Sequence, residues 1–139
     1  MIRLSHIGIA AQQVDALEKL FGILGLKKNH VEDVPEQGVR THFLPLEPDA
    51  SGSHLEFLEV TDPEGAVAQF VKKRGPGIHH LSFSVDPGQL EPLCERLRQE
   101  GVRLIYERPR PGAHEMRINF IHPASAGGML IELMESQTA

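Results

Sequence analysis

The feature that most constrains this chain is that its pattern of apolar residues runs through the same order twice. "IRLSHIGIA" (residues 2–10) alternates with the period of a half-buried strand. "QQVDALEKLFGILGL" then sets Val14, Leu17, Phe21 and Leu24 at helical spacing, with Gly25 as a C-terminal stop. "LKKNHVEDV", "GVRTHFLPL" and "HLEFLEV" read as three strands, parted by the turn formers of "PEQG" and "EPDASGS". "DPEGAVAQFVKKRG" is a short connecting helix, with Asp62 as its cap, Pro63 in its first position and three cations before Gly75. The order then returns: a strand over 78–85, a helix near 90–100 on Leu90, Leu93, Cys94 and Leu97, and strands near 102–106, 117–122 and 129–134. Pro92 belongs in the first turn of that helix, because deeper it would cost roughly 3 kcal/mol. The expected fold class is therefore α+β: two tandem βαβββ modules, about 1–61 and 76–135, joined by a connector at about 62–75 in a single domain.

Chemistry-bearing residues repeat with the pattern. His6 lies in the first strand of the first half and His80 in the first strand of the second, while Glu56 and Glu132 lie in the last strands. Residues two apart on a strand share a face. In "IHHLSFSV", His79, Leu81, Phe83 and Val85 make the oily, helix-packing face, so His80 turns the other way with Ser82 and Ser84. Ile7 and Ile9 put His6 opposite the oily face. Leu55 and Phe57 leave Glu56 with His54 and Leu58, and Met129, Ile131 and Leu133 leave Glu132 with Leu130 and Met134. If the halves curl into a cup, two imidazoles and two carboxylates converge in it. That donor set suits a divalent ion such as Co²⁺, Mn²⁺, Ni²⁺, Fe²⁺ or Zn²⁺ with positions left for water or substrate.

Other residues carry less. His30, His42, His54, His114 and His122 read as surface or loop histidines, although His42 and His122 lie on strands and could line the cup. "SAGG" (125–128) lacks the helix start of a phosphate loop and reads as the turn feeding the last strand. Cys94, among leucines at helical spacing, reads as an inert core thiol. As the chain's one cysteine it excludes an intramolecular disulfide and points to a reducing, cytoplasmic setting. A net charge of −5, with no basic block longer than Lys72–Arg74, argues against a nucleic-acid surface, and no apolar run approaches a membrane span.

From "SHIGIA" through "PEQGV", "LEFLEVTDPEGAVAQFVKKRGPGIHHLSF" and "GVRLIYERPRPG" to "RINFIHPASAGGMLIEL", the chain resembles the vicinal oxygen chelate superfamily and, within it, the methylmalonyl-CoA epimerase family. The resemblance implies paired βαβββ modules forming a cup-like mixed sheet around one divalent metal per chain, commonly in a homodimer. It implies metal ligands at His6, Glu56, His80 and Glu132, the four that strand phase selects. The activity it implies is epimerisation of (2R)/(2S)-methylmalonyl-CoA by proton abstraction alpha to the thioester through a metal-stabilised enolate, with an acyl-CoA as small-molecule partner. Glu132 is the expected base and Glu56 a second catalytic candidate. Some relatives have a carboxylate in the strand after "PEQGV" where this chain has Thr41, so the other acid/base is open among Glu56, His42 and a metal-bound water. Arg40, Lys72, Lys73, Arg108, Arg110 and Arg117 are the cations from which contacts to the CoA phosphates would be drawn. The rival readings are glyoxalase I, whose relatives usually end in a "DP.G…IEL" pattern, and a non-catalytic binding protein of the same fold, which generally loses the metal ligands.

Overall fold

The computed structural model describes residues 1–47 and 52–136. The order of elements is β1 (Ile2–Ala11), α1 (Asp15–Ile23), β2 (His30–Val34), β3 (Val39–Pro45), β4 (His54–Val60), α2 (Ala66–Arg74), β5 (Gly77–Val85), α3 (Leu90–Gln99), β6 (Arg110–Pro111), β7 (Met116–Ile121) and β8 (Leu130–Ser136). The doubled βαβββ order is thus present. By its contacts the chain forms two compact units, His6–His79 and Met1–Ser5 together with the chain from His80.

In the first unit the strands run in the order β2-β3-β4-β1. β2, β3 and β4 are antiparallel neighbours, whereas β1 lies parallel to β4. A parallel pair needs a long crossover rather than a hairpin, and the α1–β2–β3 segment supplies it. One face of these strands carries Ile7, Ile9, Leu44, Leu55 and Phe57 against Val14, Leu17 and Phe21 at α1. Phe57 is fully buried there, where burying such a side chain contributes about 1.5–3 kcal/mol. On the other face Ala10, Val39 and Leu58 pack against Val67 and Val71 of α2. The connecting helix therefore closes one end of the face that carries His6 and Glu56.

The second unit repeats the plan as β5-β8-β7-β6, with β5 parallel to β8 and the other neighbours antiparallel. Phe83, Val85, Ile131 and Leu133 form its core with Leu90, Leu93, Cys94 and Leu97 of α3. Pro92 lies in the first turn of α3, where its missing N–H removes no helix bond. Cys94 is buried, and burial pushes its thiol up, as befits an inert core position. Asp86 draws in both the Met1 ammonium and Arg3, at 2.8 and 3.0 Å.

Two expectations change. The α2 helix starts at Ala66 with Gly65 before it, not at Pro63. Asp62 caps a turn instead: its Oδ1 accepts from Glu64 N and its carbonyl from Gly65 N. The tightness of that turn explains Gly38 of "PEQG", which has φ +67° and where a Cβ would come within 2.9 Å of the Asp62 Cβ. The second change is that 102–106 is not a strand. Only Leu104 bridges to Ile121, and the outermost strand is Arg110–Pro111. The reason is Asn119, fully buried, whose carboxamide accepts from Tyr106 N and donates to Tyr106 O at 3.1 Å each. A side chain there makes the bonds that a ladder would otherwise make. "SAGG" is the turn into β8, as expected. Among the described residues no helix is long and apolar enough to cross a membrane.

Candidate metal centre and active site

The parallel register of β1 on β4 sets His6 opposite His54 and Gly8 opposite Glu56. The side chains of His6 and Glu56 meet across it, His6 Nδ1 lying 3.0 Å from Glu56 Oε2. His54 reaches the same oxygen through Nε2 at 2.7 Å. One nitrogen or oxygen donor atom from each of the three residues lies within 4.8 Å of the other two. Burial alone would push the Glu56 carboxyl up, but hydrogen bonds from His54 and His6, and the charges of both, hold it down at about 2. This is a carboxylate kept ionised.

Aromatic rings step across all four strands beside it. His30 on β2 lies 5.2 Å from Phe43 on β3, Phe43 lies 5.7 Å from His54 on β4, and His54 stacks on His6 at 5.1 Å. His54 is the residue sequence reasoning missed. The signal for it was the His-x-Glu spacing, which places His54 on the face of Glu56.

The second unit repeats the pair. β5 lies beside β8 with Ser82 opposite Glu132, and the ligating atoms of His80 and Glu132 lie within 4.8 Å of each other. Ser82, fully buried, donates to Glu132 Oε1 at 2.8 Å and lies 3.0 Å from Met134 Sδ. Strand phase is borne out at "HH". His79 packs edge-on against Phe70 of α2 at 4.9 Å, and burial pushes its imidazole down to about 4.

The remaining candidates divide. His42 does not face the site: it shares the α1 side with Leu44, with Nδ1 3.2 Å from Glu18 and Nε2 3.1 Å from Glu59. Alternation from Leu44, two residues on, is what turns it there. His122 lies outside β7, where its Nδ1 accepts from Ala124 N. Thr41 is buried on the face of Glu56, and directly across from it on β2 stands Glu32, a carboxylate sequence reasoning did not consider. Among the candidate cations, Arg40 pairs with Asp33, Arg117 with Glu91 and Glu135, and Arg110 lies over the Tyr106 ring at 4.2 Å.

Imidazole nitrogen and carboxylate oxygen, gathered in each unit, are the donors that Zn²⁺ and its first-row neighbours take, so the residues present fit such an ion. Residues 5–120 match the Glyoxalase/Bleomycin resistance protein/Dioxygenase superfamily. The mitochondrial methylmalonyl-CoA epimerase of Dictyostelium discoideum is 31% identical over 135 residues, covering 96% of this chain and 78% of that protein. The chain belongs to the methylmalonyl-CoA epimerase family.

Solved structures of the family have the same fold. The crystal structure of methylmalonyl-CoA epimerase from Mycobacterium tuberculosis matches with a TM-score of 0.83 and 40% identity, covering 96% of this chain and 87% of that one. A methylmalonyl-CoA epimerase in complex with methylmalonyl-CoA and NH4⁺ matches with a TM-score of 0.86 and 35% identity, covering 99% and 96%. The expected α+β fold of paired βαβββ modules is the family's fold.

Proposed function

We propose that this protein interconverts the (2R) and (2S) epimers of methylmalonyl-CoA, with one divalent metal ion per chain. The observation that carries the reading is the repeated His–Glu pair, His6 with Glu56 and His80 with Glu132, each on a parallel strand pair of its own unit. It occurs in a chain with relatives named for that epimerisation, one of them described with methylmalonyl-CoA bound. Those four residues would hold the ion, and Co²⁺, Mn²⁺, Ni²⁺, Fe²⁺ or Zn²⁺ suits them. When bound, such an ion supplies Lewis-acid chemistry, drawing negative charge from the oxygens beside the reacting carbon.

Glu132 is assigned to take the proton from C2. A carboxylate can carry that proton, and the Ser82 hydroxyl fixes its orientation. Inversion needs a second proton carrier for the opposite face of C2. Glu56 is held ionised by two imidazoles, which suits a ligand better than a proton donor, and His42 is turned toward α1. That favours Glu32, the carboxylate across from Thr41. We further read the chain as one domain acting as a cytoplasmic homodimer, the state expected of the family.

The test is proton exchange at C2 of (2R)- and (2S)-methylmalonyl-CoA in D₂O, with metal-stripped protein and after adding Co²⁺. Metal-dependent deuterium incorporation with loss of stereochemistry is the expected result. Absence of exchange with every metal would overturn the reading, and turnover of a glutathione hemithioacetal would then redirect it to glyoxalase chemistry.

A further inference from the structure

His54 stands two residues before Glu56 on β4 and across from His6 on β1. About a quarter of its side chain is exposed, yet its ring is fixed from three directions. Phe43 flanks it at 5.7 Å, His6 stacks on it at 5.1 Å with a 30° interplanar angle, and Nε2 reaches Glu56 Oε2 at 2.7 Å. At that distance an imidazole that carries its proton on Nε2 donates to the carboxylate oxygen. The oxygen has lone pairs enough for His54 and for His6 at 3.0 Å.

We propose that His54 is a positioning residue for metal binding: by donating Nε2–H to Glu56 Oε2 it fixes the direction in which that carboxylate meets the ion and offsets the negative charge that the glutamate brings. This rests on the reading of Glu56 as a ligand. Partners that hydrogen-bond a ligating carboxylate typically change metal affinity by about 10–100-fold when removed. The bond is also charge-assisted, about twice as strong as one to a neutral carboxamide. The contribution of His54 should therefore depend on residue 56 being a glutamate.

The test titrates the full-length protein with Co²⁺ alone, followed by calorimetry and by the visible absorption of the bound ion. His54→Phe keeps a ring between Phe43 and His6 but removes the donor, and His54→Gln restores an N–H. His54→Phe is expected to weaken Co²⁺ binding about 10–100-fold and to shift the cobalt absorption, with His54→Gln recovering most of the loss. In a Glu56→Gln background the same His54→Phe change should cost less than about threefold, since the coupling between the two positions is what the hydrogen bond contributes. An equal penalty in both backgrounds would assign His54 to propping the His6 ring, and no penalty in either would leave it without a role; both overturn the proposal. Failure of the unmodified protein to bind Co²⁺ would instead remove the metal reading itself.

Discussion

The two His–Glu pairs occupy equivalent strands of the two units, yet their surroundings differ. In the first, two imidazoles converge on one oxygen of Glu56, and the carboxyl is held down at about 2. In the second, Glu132 accepts a hydrogen bond from the hydroxyl of Ser82, which lies beside the thioether of Met134. Duplication copies a backbone and the direction in which a side chain leaves it; what that side chain does depends on its neighbours. Two imidazoles make Glu56 a fixed anion, suited to holding an ion. The Ser82 hydroxyl orients Glu132. The proposed function divides that one geometry into a carboxylate that holds and one that acts.

The division breaks most sharply at the ligands and the base. His80→Ala should abolish Co²⁺ binding and C2 exchange together while far-UV circular dichroism stays native; equal losses from His79→Ala would overturn the assignment of faces. Glu132→Gln should lower the rate of inversion by about 10²–10⁴-fold, the usual worth of a general acid or base, with metal still bound. Glu56→Gln should act mainly on metal affinity. A reversal of those two results, read by metal content beside deuterium exchange, would exchange the roles of the units. Glu32→Gln is expected to stop inversion but to leave solvent exchange at C2 for one epimer, because one proton carrier survives. Loss of exchange from both epimers would count against it. Ser82→Ala should cost about tenfold in turnover, in keeping with the lower end of such supporting contacts, and leave Co²⁺ affinity nearly unchanged.

The smallest effect concerns His79 and no catalytic step. Its folded-state value lies near 4, below the ordinary 6.5, because burial disfavours the charged ring. The unfolded chain therefore binds more protons between those values, and stability falls as pH drops from about 6.5 toward 4. His79→Phe should flatten that part of the pH–stability curve, as measured by denaturant unfolding, and leave the curve above pH 7 unchanged in shape. An unaltered slope would place the acid-sensitive group elsewhere.

Period-two alternation made the faces of β1, β4, β5 and β8 readable, and with them the four candidate ligands, because each strand carries an unbroken apolar set on one side. The repeat made the βαβββ order readable for the same reason. Contacts that join distant segments were not readable. His54 gains its meaning from a parallel register that brings His6 beside it from 48 residues away, and nothing local announces that register. The start of α2 was misplaced because Asp62 and Pro63 are good helix openers, yet the close approach of Gly38 keeps Asp62 in a turn. His42 was set among possible site residues, although its phase with Leu44 already turned it toward α1.

Asn119 has a wider consequence. The stretch from Gly101 to Pro109 is held to the rest of its unit by backbone bonds at Arg103 and Ile105 and, at Tyr106, by two bonds from one carboxamide. Those two bonds use the backbone of Tyr106 and so do not depend on which side chain stands there. A change at position 119 would remove both bonds at once, whereas a change of side chain at position 106 would leave the backbone groups that make them in place.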